Sequence, residues 1–143
     1  MDIRKVQLIT TGTDSLPLNV DLAFEYDSLK ISITLDRDYR KEDTIKLFID
    51  YTAKPNDLAE GGSTAIKSDK GLYFINEKGE DKDKPQQIWT QGETQANSVW
   101  FPTIDSPNQK STQEIAITVS EKYKTLSNGI LSYSELNGDG TRT

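Results

Sequence analysis

The chain has 143 residues, no His, no Cys, and 23 acidic side chains against 17 basic ones, for a formal net charge of −6 at pH 7. A chain of this length suits one domain burying about 70% of its unfolded surface. The missing imidazole and thiol remove the usual ligands of a catalytic transition metal, a disulfide framework, and the Ser-His-Asp and Cys-His nucleophile systems.

The negative balance, with basic residues scattered among acidic ones, argues against nucleic acid or an anionic membrane as a partner. No apolar run approaches the ~20 residues that span a bilayer, and the start MDIRKVQL lacks the apolar core of a secretory signal. The compartment is left open, because a lack of cysteine fits both reducing and oxidising surroundings. Met1 begins almost inside a strand-like segment, which predicts a chain cut from a longer protein.

Period-2 alternation dominates the chain. Leu18, Val20, Leu22, Phe24 and Tyr26 share one face of a strand, with Asn19, Asp21, Ala23 and Glu25 on the other. After a turn at Asp27-Ser28, the run Leu29, Ile31, Ile33 and Leu35 repeats the pattern and predicts a hairpin with matched apolar faces. A charged loop from Asp36 to Asp43 leads to a third run, Ile45, Leu47, Ile49 and Tyr51, stopped near Pro55. Asn56 to Asp69, with Gly61-Gly62, reads as a flexible connection.

Gly71 to Ile75 reads as a short strand, Asn76 to Pro85 as a solvated hairpin loop of balanced charge, and Gln87 to Thr90 as the return strand. Thr94 to Val99 suits one helical turn, ended by Phe101-Pro102. Thr112 to Val119 predicts a strand with Ile115, Ile117 and Val119 inward. Leu126 to Leu136 predicts two extended segments around the preferred hairpin turn Asn128-Gly129, and Asn137 to Gly140 predicts another turn. With no helical period anywhere, the pattern predicts an all-β class, as an antiparallel β-sandwich or curved, saddle-like sheets.

Gln91 and Glu93 are the candidate binding residues. If Thr90 to Thr94 is extended, both project from one face, and a carboxylate beside an amide oxygen suits an ammonium group, at about 1.5–3 kcal/mol per charge-assisted bond once desolvated. On spacing alone, a plain solvated strand face is the favoured explanation of the pair, because Q-x-E is a very weak pattern. Trp89 and Trp100 could stack on a sugar ring, although aromatics beside proline more often serve packing. Asp81-Lys82-Asp83 and Asn137 to Gly140 lack the spacing and the closing Glu of a calcium loop and read as turns. Asp105 is expected to cap its own turn.

The order of motifs resembles the N-terminal domain of the zinc aminopeptidases related to aminopeptidase N and leukotriene hydrolase. In that family an extended Thr-Gln-x-Glu or Thr-Gln-x-Gln segment precedes a Phe-Pro-x-x-Asp-x-Pro turn, matched here by Thr90, Gln91, Glu93, Phe101, Pro102, Asp105 and Pro107. Lys70 to Phe74 resembles the family's Gly-Leu-Tyr strand, and Ile45 to Pro55 its strand into Tyr-x-Ala-x-Pro. Ile115 to Val119 and Leu126 to Gly129 resemble the downstream strand and its Leu-Ser-Asn-Gly turn. Asn97-Ser98 stands where the family usually has Ala-Arg, and Thr103 where it usually has Cys.

The resemblance implies that residues 1–143 form a single non-catalytic β-domain, cut at both ends, of a larger peptidase. It also implies that Gln91 and Glu93 reach into the cleft to hold the free α-amino group of a peptide. The zinc and its H-E-x-x-H helix would belong to a separate domain of the same parent chain, leaving this chain with no cofactor and no cleavage activity of its own. A non-enzymatic carbohydrate- or protein-binding β-sandwich is the other reading. Sheet edges opened by the cuts predict strand exchange or homodimerisation.

Overall fold

The computed structural model describes residues 1–11, 16–57, 70–93 and 95–143. The chain is all-β: its strands form several antiparallel sheets, and its only helical pieces among the described residues are single 3-10 turns. It divides into two compact units, Met1–Gln109 and Lys110–Thr143.

In the first unit the largest sheet has three strands, with β1 (Asp2–Thr11) between β2 (Pro17–Asp21) and β5 (Leu47–Thr52). Alternation along β1 puts Val6 and Leu8 on the inner face, and they are 1% and 6% exposed. Leu8 pairs across the sheet with Val20 and Leu47, and Val6 with Ile49, so apolar residues of all three strands lie in rows on that face. The register between β1 and β5 slips between Ile3 and Lys5. This bulge re-aims Arg4, whose guanidinium holds the Asp50 carboxylate and the Thr52 hydroxyl.

The single strand expected over Leu18 to Tyr26 is two. The ladder with β1 ends after Leu22, whose N–H donates to the Val6 carbonyl, and beyond Ala23 the chain pairs instead with the following strand. Alternation continues through the break, so the pattern does not reveal the change of partner. The expected hairpin is present as β3 (Phe24–Tyr26) and β4 (Ile31–Ile33), in register Phe24 to Ile33. Its turn is fixed by Asp27, whose Oδ1 accepts the N–H groups of Leu29 at 2.8 Å and Lys30 at 2.6 Å, while Ser28 takes φ of 80°.

The charged loop before β5 is internally paired. Arg37 lies 4.0 Å from the Tyr39 ring centroid and bridges to Asp43, whose Oδ2 also accepts the Arg40 N–H. After β5, Pro55–Asp57 makes a 3-10 turn; the connection expected over Asn56 to Asp69 lies outside the described residues from position 58 onward.

β6 (Leu72–Ile75) and β7 (Gln87–Thr90) form the predicted second hairpin, in register Leu72 to Thr90 and Ile75 to Gln87. Its loop is tied by Asn76, at φ of 49°. The Asn76 Nδ2 donates to the carbonyls of Asp81 (2.7 Å) and Lys84 (2.6 Å), and its Oδ1 accepts the Asp81 N–H.

In the second unit the sequence expectation is only partly met. Thr112 to Val119 yields a strand of two residues, β8 (Val119–Ser120), paired with β9 (Thr141–Arg142), and Ile115 is 53% exposed rather than inward. Leu126 to Leu136 forms no hairpin ladder around Asn128-Gly129. Instead Leu136 bridges to Arg142, and Glu135 and Thr143 exchange both backbone hydrogen bonds around the Asn137 to Gly140 turn. Leu126 and Ile130 are 97% and 95% exposed.

Candidate functional site

The candidate residues follow directly from the β6–β7 hairpin. β7 ends at Thr90, and the Gln91 N–H donates to the Gly71 carbonyl at 3.0 Å, extending the ladder by one bond. The chain then turns at Gly92-Glu93, and the Ala96 N–H closes onto the Gly92 carbonyl at 3.1 Å. The extended conformation expected from Thr90 to Thr94 therefore stops before Glu93, and simple strand alternation is not what sets the relation between Gln91 and Glu93. The glycine between them was the legible sign of a turn.

Close approaches crowd both glycines that flank this turn. Gly71, at φ of +66°, packs against the Ala96 carbonyl, and a Cβ there would also stand 2.9 Å from Trp100 Cδ1. Only glycine fits both the conformation and the space. Gly92 is covered in the same way by the Asn97 side-chain amide, whose Nδ2 a Cβ at Gly92 would meet at 2.6 Å. Ala96 is 1% exposed. A 3-10 turn, Asn97–Val99, follows, and the Asn97 carbonyl accepts the N–H groups of both Trp100 and Phe101 at 3.1 Å.

Asp105 secures this turn from downstream. Its Oδ2 accepts the Ser98 N–H at 2.8 Å, satisfying one of the donors that a helix start leaves unpaired. It thus caps the preceding 3-10 turn rather than its own. Of the Asn97-Ser98 pair, Asn97 covers Gly92 with its side chain, and residue 98 contributes only its backbone N–H, to Asp105.

On this frame Gln91 is half-buried and Glu93 is exposed. Neither side chain has a hydrogen bond or ion pair among the described residues, so the Glu93 carboxylate and the Gln91 amide have their acceptor oxygens available. The aromatic residues nearby do packing work. Trp89 stacks on its cross-strand partner Tyr73 with ring centroids 5.0 Å apart. Trp100 meets Phe101 edge-on at 4.6 Å, with its indole N–H buried and unpaired among the described residues. An exposed flat face shared by both tryptophans, as a sugar platform needs, is not formed, because Trp100 is half-buried.

The chain offers no imidazole or thiolate donor, and among the described residues no three His, Cys, Asp or Glu side chains converge as metal ligands. These residues do not fit a zinc centre. No described helix is long and apolar enough to cross a membrane.

Comparison with curated proteins gave no significant match, and neither did comparison with solved structures. The family model of the peptidase M1 N-terminal domain, by contrast, matches residues 1–143 from end to end. The motif order, the all-β architecture and this match lead to one conclusion: the chain belongs to the peptidase M1 N-terminal domain family.

Proposed function

We propose that this domain holds the free amino terminus of a peptide for a zinc aminopeptidase, with Glu93 as the charged acceptor and Gln91 as a neutral one. The observation that supports this reading most directly is the exposed, unpartnered carboxylate of Glu93 on a turn braced by Gly71 and Asn97. A peptide with a blocked amine would leave that carboxylate desolvated and unpaired, which gives selectivity for free N-termini. The metal and the hydrolytic step belong to another domain of the same protein.

Glu93→Ala in the full-length enzyme tests the assignment. Loss of one charge-assisted bond worth about 1.5–3 kcal/mol lowers kcat/KM on free-amine peptides by about 10- to 150-fold, with zinc content unchanged. Unaltered kinetics on those peptides would remove Glu93 from the site.

A further inference from the structure

The two Asn-Gly pairs of the chain sit in contrasting surroundings. Asn128-Gly129 is exposed, Gly129 takes φ of +100°, and a Cβ there would meet nothing within 4 Å. Neither the Asn128 side chain nor the Gly129 N–H makes a hydrogen bond among the described residues. Gly138 is equally open, but the Asn137 amide is tethered: its Nδ2 donates to Thr141 Oγ1 at 2.8 Å and Thr143 Oγ1 at 3.0 Å. A third pair with a small following residue, Asn97-Ser98, is blocked differently, because the Ser98 N–H is donated to Asp105 at 2.8 Å.

We propose that Asn128 is a site of spontaneous deamidation, converting to aspartate and isoaspartate with water as the only co-reactant, ahead of Asn137. The Gly129 nitrogen loses its proton and attacks Asn128 Cγ. The new N–Cγ bond closes a cyclic imide, while the Cγ–Nδ2 bond breaks and ammonia leaves. Water then opens the imide at either carbonyl, so that amide plus water becomes carboxylic acid plus ammonia with no change of oxidation state. Glycine matters because it offers no Cβ to obstruct ring closure, and a free Asn side chain matters because Cγ must swing onto the following nitrogen. At Asn137 that swing first requires breaking the bonds to Thr141 and Thr143. The product adds a negative charge between Leu126 and Ile130, which are 97% and 95% exposed.

The test is peptide mapping by mass spectrometry after incubating the 143-residue chain at mildly alkaline pH, in native buffer and in denaturant. The peptide carrying Asn128 is expected to acquire the mass of the acid several-fold faster than that carrying Asn137 in native buffer, and the two rates are expected to converge in denaturant. Asn128→Gln should abolish the fast conversion, and Thr141→Val combined with Thr143→Val should accelerate Asn137. Equal native rates, a ratio that persists in denaturant, or an Asn137 rate indifferent to the threonine changes would each overturn the proposal.

Discussion

Gly71 brings its α-carbon against the carbonyl oxygen of Ala96, so closely that a side chain at residue 71 would overlap it and stand 2.9 Å from Trp100 Cδ1. Two costs coincide in Gly71→Ala: a left-handed backbone, about 1–2 kcal/mol for a residue with a Cβ, and overpacking, about 1–3 kcal/mol. The urea midpoint should fall by the equivalent of about 2–5 kcal/mol. Gly129→Ala, at positive φ but in open space, should lose only the first part. Equal losses in the two variants would show that the approach to Ala96 is not tight.

Asp105 and Ser98 make a longer-range cap than sequence alone suggests. Asp105→Ala leaves the Ser98 N–H of a half-buried turn without its acceptor and should cost about 1 kcal/mol. Asp105→Asn retains an oxygen acceptor and should cost less. Denaturation curves for the pair separate the hydrogen bond from the charge; a larger loss in the Asn variant would mean that the charge does the holding.

The hairpins β3–β4 and β6–β7 were legible because each sets two alternating runs around turn residues, information carried within one short segment. The end of β2 was not, since Leu22 and Phe24 keep the same period while the chain changes partners from β1 to β4. Ile115, Ile117 and Val119 failed for a related reason. Alternation describes which side a residue would face, but pairing depends on a partner, and β9 supplies one only at Val119 and Ser120. At the candidate site, Gln91 and Glu93 were singled out by residue type and motif order, yet Gly71, Ala96, Asn97 and Asp105, which shape their turn, act across distances in sequence that no local pattern reports.

On the acid side, stability should fall with pH. Backbone N–H groups of Lys30 and Leu29 hold the Asp27 carboxyl below the usual aspartate value, and Arg4 does the same for Asp50. The Thr141 hydroxyl and N–H lower Asp139. A depressed folded-state pKa contributes stability above the unfolded value, about 3.9 for Asp, and loses it as pH falls through the folded value. With no His and no Cys, no side chain has an ordinary pKa between about 5 and 8. The thermal midpoint should therefore stay flat between about pH 5 and 7 and drop below about pH 4. Asp27→Asn should flatten part of that acid limb; a midpoint that rose on acidification would contradict the assigned carboxylate bonds.

Asn76 combines two roles that substitution can separate. Its φ of 49° suits glycine or asparagine, and its amide makes three hydrogen bonds across the β6–β7 loop, two donated and one accepted. Asn76→Gly keeps the backbone conformation and loses the bonds, at about 0.5–1.5 kcal/mol each. Asn76→Ala loses the bonds and also incurs the left-handed penalty, so it should be worse by about 1–2 kcal/mol. The hairpin carries the Tyr73–Trp89 stack and ends in the Gln91 N–H bond to Gly71. Both variants should therefore weaken the near-UV dichroism of the stack and lower hydrogen-exchange protection of the Gln91 amide, more so for Ala. A Gln91 amide that exchanges at the parental rate in both variants would show that the turn bearing Glu93 is held from Gly71 and Asp105 alone, independently of the loop.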